Sequence, residues 1–162
     1  RSILTCRVNR ISPVASVRKK FNRDLYNKTN NKAIQKGVAY LKSQGHKILD
    51  KTETYGPDIV SEKAGKLYYT EVETKLVWSG DWPESWEDVR LPERKKRLIA
   101  LAKNNEASLS FIIFNKEYKQ AWKIPADVVD SSPLEEISNK YVSKGEYFFV
   151  IPLKKAKLLK IK

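Results

Sequence analysis

The chain has 162 residues, of which 41% are hydrophobic and 31% charged, and this length and balance fit one globular domain, residues 1–162. Its 32 Lys and Arg residues outnumber its 19 Asp and Glu residues, and the formal charge of +13 favours a polyanionic partner such as nucleic acid. One cysteine and one histidine exclude a disulfide framework, multi-histidine zinc sites and hydrolytic mechanisms that need two histidines. The single cysteine suits a reducing compartment, so we expect a cytoplasmic protein, and no apolar run is long enough to span a membrane.

A basic arm, residues 1–29, precedes a predicted core at about residues 30–125. Its cations include Arg18, Lys19 and Lys20, which we expect to contact nucleic-acid phosphates. A solvated basic surface is the alternative interpretation of this arm.

The first predicted element of the core is a helix that Asn30 or Asn31 caps and that runs to about Ser43. Apolar residues recur there at helical spacing, and a glycine follows. A first strand is predicted after this helix, over residues 46–52.

A predicted hairpin at residues 56–75 occupies the centre of the core. It consists of a short buried strand carrying Asp58, a tight turn near residues 64–65, and a second strand that ends in Glu73 and Lys75. Because side chains alternate along a strand, the two charged residues of that second strand share one face with Glu71.

The charged residues of this hairpin are those that phosphodiester hydrolysis requires. Asp58 and Glu73 are oxygen ligands suited to Mg²⁺, which proteins usually hold through one or two carboxylates and a substrate phosphate. Lys75 is placed to orient a water molecule or to neutralise charge on the phosphoryl oxygens. The pattern predicts a hydrolytic site, and the solvated face of a half-buried hairpin is the alternative.

The motif Pro57-Asp58 followed by Glu73-x-Lys75 resembles the PD-(D/E)XK nuclease superfamily, which includes restriction enzymes, archaeal Holliday-junction resolvases and many phage nucleases. The resemblance spans about residues 30–115. It implies an α/β fold: one restriction-endonuclease-like domain with a mixed central sheet flanked by helices. It also implies a DNA endonuclease that depends on Mg²⁺, with Mn²⁺ as a substitute, and a metal held by Asp58, Glu73 and the backbone carbonyl of Thr74.

The resemblance further implies a bacterial or phage origin and action in the host cytoplasm or at the nucleoid. Symmetric cutting of both strands would suggest a homodimer. A non-catalytic nucleic-acid-binding protein with the same fold and a DNA exonuclease are the competing hypotheses.

One position departs from the superfamily pattern. Several families carry a further acid on the first helix, where this chain has no carboxylate and offers Gln35. An amide there can accept a hydrogen bond from a metal-bound water, so we include Gln35 in the predicted catalytic site without a strong second metal.

Three tryptophans follow the hairpin in a predicted loop: Trp78, Trp82 and Trp86. Aromatic rings beside a phosphate groove can stack on bases, and Trp82 is our candidate for that role. Large rings can equally anchor a long loop to the core, which is the interpretation that we favour.

A second helix is predicted from Pro92 to about Lys103, with four basic residues in its first turns. Cations at a helix N-terminus run against the helix dipole and are easier to explain beside a phosphate. We therefore predict nucleic-acid contacts for Arg94, Lys95 and Arg97, and the resemblance supports the first two.

The remaining chain predicts a buried strand at 109–114, a hairpin to a strand at 118–124, a capped helix at 132–141 and a strand at 146–152. The C-terminal part, residues 126–162, ends in a basic tail that either grips a nucleic-acid backbone or packs its leucines. Together these elements predict a mixed sheet of about four to six strands with helices on both faces, and the central hairpin at its catalytic edge.

Overall fold

The computed structural model describes residues 23–50, 56–139 and 142–162. The predicted phosphate contacts Arg18, Lys19 and Lys20 lie outside these residues. The end of the predicted first strand, at 51–52, lies outside them as well.

The described elements follow one another as helices and strands of moderate length. In chain order they are α1 (Arg23–Ser43), β1 (Lys47–Leu49), β2 (Ile59–Lys63), β3 (Lys66–Lys75), β4 (Asp88–Pro92), a 3-10 turn (Glu93–Lys95), α2 (Lys96–Asn104), β5 (Ser108–Asn115), β6 (Gln120–Pro125), α3 (Ala126–Asp130), β7 (Leu134–Asn139), β8 (Val142–Pro152), a 3-10 turn (Leu153–Lys155) and β9 (Lys157–Lys160).

Six strands form the main sheet in the order β1-β2-β3-β5-β6-β9, and β4, β8 and β7 form a smaller antiparallel sheet. Within the main sheet, β3 and β5 are parallel and the other neighbours are antiparallel. The predicted mixed α/β sheet is therefore confirmed. The hairpin strands β2 and β3 are interior, with β1 outside them, so the prediction that they form an edge of the sheet was wrong.

Hydrophobic side chains pack on both faces of the main sheet. One cluster joins Tyr69 of β3 to Leu98 of α2 and to the smaller sheet. The other joins Val72 of β3 to Ala33 and Leu41 of α1. Helices thus cover both faces, as predicted, and the alternation of β3 directs its odd-numbered side chains toward α2 and its even-numbered ones toward α1.

The turn of the central hairpin has the geometry that the sequence predicts. Ala64 and Gly65 both have positive φ, 52° and 76°. Two consecutive left-handed residues are typical of a tight turn whose twist matches that of the flanking strands. The turn fixes the register Ile59↔Thr70, which brings the start of β2 level with Glu71.

Three boundaries in the first half of the chain differ from the prediction. The first helix begins at Arg23 and runs through Asn30 and Asn31 without a break, so neither asparagine caps it. Residues 88–92 form β4, a strand that the sequence did not predict. The predicted helix from Pro92 starts only at Lys96, after the 3-10 turn.

The second half contains the largest error. The predicted helix at 132–141 is wrong, because residues Leu134–Asn139 form β7 and pair with β8. A short helix, α3, precedes it at Ala126–Asp130. Pairing along an 11-residue β8 outweighs the local capping signal at Ser132.

The long helix α1 is mixed in polarity. No helix in the described parts of the chain is both long enough and apolar enough to cross a membrane.

Candidate active site

Asp58 lies immediately before β2 and is locked onto β3 by two hydrogen bonds. Its Oδ2 accepts a hydrogen bond from the Val72 N–H at 3.0 Å, and its own N–H donates to Glu71 Oε1 at 3.1 Å. Only 6% of the residue is exposed. These bonds fix both the backbone and the carboxylate of Asp58 relative to the strand that carries the other acids.

Glu71 forms a buried ion pair with Lys95. Lys95 Nζ lies 2.6 Å from Glu71 Oε2, and their side chains are 10% and 3% exposed. The lysine comes from the 3-10 turn that follows β4. The pair thus ties that turn to β3 and neutralises the acid that holds the backbone of Asp58.

Glu73 and Lys75 continue along the same face of β3 toward its end, and both are half-buried. Lys75 Nζ lies 5.7 Å from the centre of the Trp86 ring, a distance at which the ring attracts a cation. An open groove of about 310 Å³ adjoins it, lined by Lys75, Val77, Trp82, Ser85, Trp86, Glu87, Asp88 and Arg90. Lys75 therefore stands between the carboxylates and a solvent-accessible opening.

Thr74 lies on the opposite side of β3 from these charges. Its Oγ1 hydrogen-bonds the hydroxyl of Tyr118 at 2.7 Å. With the side chain engaged there, the part of Thr74 that remains for a metal is its backbone carbonyl, which is the group that the resemblance implies.

The tryptophans form one cluster behind the groove. Trp82 meets Trp78 and Trp86 edge-on, with ring centres 4.9 and 5.0 Å apart, and Trp122 of β6 at 5.6 Å. Trp78 is fully buried, and Trp82 Nε1 donates to the Trp86 carbonyl. This packing supports the anchoring interpretation of the loop. The base-stacking role of Trp82 remains a prediction.

Gln35 is not brought to the carboxylates. It lies between Ala33 and Gly37, which face the sheet, so at 100° per residue its side chain points away from it, and the residue is exposed. Moreover, α1 covers the Val72 face of β3, opposite the face of Glu73. Arg94 and Arg97 are half-buried on either side of Lys95.

The donor set suits a Mg²⁺ ion that is held partly by substrate. Among the described residues, no group of three or more His, Cys, Asp or Glu side chains is arranged to hold a metal ion. Two carboxylates and a backbone carbonyl are nevertheless the kind of incomplete site that Mg²⁺ uses, because it retains several waters and binds substrate phosphate. Asp58, Glu73 and Thr74 therefore carry oxygen atoms of the kind that bind this ion, and they do not form a closed metal cage.

Two contacts of this site were missed in the sequence. The partner of Glu71 is 24 residues away, and the ring beneath Lys75 is 11 residues away across a loop. The unusual run of cations at residues 94–97 was a signal for the first contact, but it was assigned to an external phosphate. No local sequence pattern shows whether Lys95 binds Glu71 or an external phosphate.

Comparisons with known proteins give a similarity in structure and none in sequence. Neither a protein-family model nor a curated protein sequence matches the chain. A solved structure that is similar to it is that of Archaeoglobus fulgidus Hjc, a Holliday junction resolvase from an archaeal hyperthermophile. The two are 16% identical with a TM-score of 0.47, over 74% of this chain and 88% of the resolvase chain.

Proposed function

We propose that this protein is a Mg²⁺-dependent DNA endonuclease that hydrolyses phosphodiester bonds at Asp58, Glu73 and Lys75. The observation that carries the proposal is the double hydrogen bond between Asp58 and β3, because it fixes a nearly buried carboxylate beside the strand that bears Glu73 and Lys75. A solvated hairpin face would not need such a fixed carboxylate.

Each residue has a separate role in this proposal. Asp58 and Glu73, with the Thr74 carbonyl, hold Mg²⁺, which when bound polarises the phosphate and lowers the pKa of a coordinated water. Glu71 and Lys95 keep the Asp58 backbone in place. They act as positioning residues.

Lys75 acts on the reacting atoms directly and not through the metal ion. Its ammonium group donates hydrogen bonds to the attacking water or to a phosphoryl oxygen, and it offsets the negative charge that develops on that oxygen. The Trp86 ring attracts this ammonium group and limits the directions from which substrate can reach it.

The partner follows from charge. A formal charge of +13 attracts a polyanion over long distances, and the resemblance of the motif supports DNA. Arg94 and Arg97 lie on the segment that carries Lys95 and are proposed to contact its phosphates. The ammonium of Lys95 is already bound to Glu71.

The test is incubation of purified protein with supercoiled and with linear DNA, in the presence of Mg²⁺, Mn²⁺ or a chelator. Asp58→Ala and Lys75→Ala are compared with Glu62→Ala, which removes an exposed acid from the same hairpin. We expect nicked and linear products that need the metal, disappear in the first two variants and persist in the third. Removal of one hydrogen-bond donor to a developing oxyanion, the role proposed for Lys75, lowers kcat by about 10²–10³-fold.

Other outcomes would replace the proposal. Degradation of linear DNA without attack on circles indicates an exonuclease. If supercoiled, single-stranded and branched DNA are all bound and none is cut, the chain is a binding protein, the function favoured by an exposed Gln35 in place of a helix carboxylate.

A further inference from the structure

A second concentration of charge lies on the face of the main sheet that α1 covers. It comprises His46, Lys63, Lys123 and Lys157, here called the lysine cluster. Lys123 of β6 and Lys157 of β9 are directly opposite each other on neighbouring strands. Like charges at directly opposite positions destabilise a sheet, so this pairing costs stability unless something offsets it.

The cluster is gathered around the C-terminal end of α1. Lys123 Nζ lies 5.5 Å from the centre of the Tyr40 ring in the last turns of that helix. The stem of Lys63 runs beside Gly45, where an added Cβ would lie 3.6 Å from Lys63 Cε. Cations from β2 and β6 therefore reach the same helix end.

His46 is held rigidly within this group. Its Nδ1 is 2.9 Å from Ser61 Oγ, and its ring meets the Tyr68 ring edge-on with centres 4.7 Å apart. The side chain is thus fixed by one hydrogen bond and one ring contact, with its neighbours on β2 and β3.

The charges in the cluster are close enough to repel one another. Burial lowers the pKa of Lys123, and the nearby ammonium groups of Lys157 and Lys63 lower it further. Burial likewise lowers the pKa of His46, with added repulsion from Lys63 and Lys123.

No carboxylate in the described parts of the chain forms a salt bridge with Lys63, Lys123 or Lys157. The C-terminus of α1 supplies a partial negative charge of only about half an elementary charge. Three ammonium groups exceed that, so the site has a surplus of positive charge.

We propose that the lysine cluster binds backbone phosphates of a nucleic acid at a site separate from the proposed cleavage site. It lies on the opposite face of the sheet from Glu73. Its His46 end adjoins Tyr68, about 23 Å along β3 from Lys75 at the rise of a β-strand, and its Lys123 is level with Val72 and two strands away from β3. The proposal rests on the proposed function only for the class of partner. A nucleic acid fits better than a single small anion because the cations come from three strands, β2, β6 and β9, and can meet successive phosphates.

The first test measures binding of a fluorescent 20-base-pair duplex by anisotropy in chelator, over a range of salt concentrations. The double variant Lys123→Gln, Lys157→Gln is compared with Lys154→Gln, Lys155→Gln, which removes the same charge from exposed positions just before β9. Each lost phosphate contact lowers the slope of log affinity against log salt by about 0.9, so we expect a fall of about two for the cluster variant, with affinity at least about tenfold weaker. An equal change in both double variants would show a general basic surface and overturn the proposal.

The second test uses the fact that His46 is the only histidine in the chain. Its ring proton resonances are therefore unambiguous in an NMR titration. Saturating duplex should shift them and raise the pKa of His46, because bound phosphate offsets the repulsion from Lys63 and Lys123. Unchanged resonances, or inorganic phosphate that binds as tightly as the duplex, would overturn the nucleic-acid assignment.

Neither test needs metal or cleavage, so the two proposals fail separately. If the protein cuts DNA and the His46 resonances do not change on addition of duplex, only the proposal for the lysine cluster is refuted. If duplex binds at the cluster and no DNA is cut, only the proposed nuclease activity is refuted.

Discussion

The two faces of β3 handle charge in opposite ways. On the α2 face the acid Glu71 is buried against Lys95 and its second oxygen holds the backbone of Asp58. On the α1 face the strand begins beside a cluster whose lysines, within the described residues, form no salt bridge.

The difference shows what each arrangement can do. A buried, compensated pair fixes geometry, because either partner left alone carries a large desolvation cost. Uncompensated cations at a partly exposed site fix little, but they retain the capacity to bind an anion. The α2 face of β3 thus fixes the geometry of Asp58, and the α1 face carries cations that can bind an anion.

The largest expected effect comes from breaking the compensated face. Lys95→Met leaves Glu71 as a buried charge without its lysine, and loss of one partner of a buried pair typically costs about 3–5 kcal/mol of the free energy of unfolding. Urea denaturation measures this loss. Adding Glu71→Gln, which retains an acceptor for the Asp58 N–H, should recover most of it, whereas Lys96→Met at an exposed neighbour should have little effect. A mild Lys95→Met phenotype would mean that the pair does not hold this face together.

The next effect tests how closely α1 packs on the other face. An added Cβ at Gly37 would lie 2.8 Å from Ile59 Cδ1 and 3.0 Å from Val72 Cγ1. Gly37→Ala should therefore destabilise by about 1 kcal/mol, since overpacking costs about 1–3 kcal/mol and the gain in helix propensity returns at most about 1. Thermal unfolding of Gly37→Ala and of Ala39→Gly, at an exposed helix position, separates packing from propensity. A more stable Gly37→Ala variant contradicts close packing.

Removal of a cation from the lysine cluster should raise the free energy of unfolding, whereas Lys95→Met should lower it. Lys123→Met relieves repulsion from Lys157 and Lys63, so we expect stabilisation of up to about 1 kcal/mol at low salt. The gain should shrink as salt rises, because exposed charges are screened. Destabilisation in chemical denaturation at low salt would show that the stem of Lys123 contributes more than its charge costs.

The smallest effect concerns pH. The folded state lowers the pKa of His46, so below the unfolded value of about 6.5 the unfolded chain binds more protons than the folded one. This contribution to stability is complete above that pH and is lost as pH falls toward the folded pKa. The difference in melting temperature between the wild type and His46→Asn should therefore change between pH 7.5 and pH 5.5, with the wild type losing more. A constant difference would contradict the lowered pKa.

Local patterns predicted the central hairpin well, and the roles of its site residues stay predictions. The turn at Ala64 and Gly65 and the alternation along β3 depend on nearby residues only. The predictions that were wrong concern elements whose structure depends on residues distant in the sequence. Ser132 begins a good capping pattern, yet the following residues pair with β8.

The site shows the same limit. Asp58 and Glu73 could be chosen by residue type and spacing. The assignment of Lys95 to a phosphate could not be corrected without knowing that the turn after β4 reaches Glu71. Gln35 was placed on the right helix, but which side of a helix faces a sheet is decided by packing, here by the close approach at Gly37.

The tryptophan cluster has an optical consequence. All four tryptophans of the chain are in this one cluster, which borders the groove beside Lys75. The tryptophan fluorescence of the whole protein therefore originates beside the proposed cleavage site, with no tryptophan emission from elsewhere. Substrate arrival at Lys75 should be visible in the unlabelled protein, on the timescale of a stopped-flow mixing experiment.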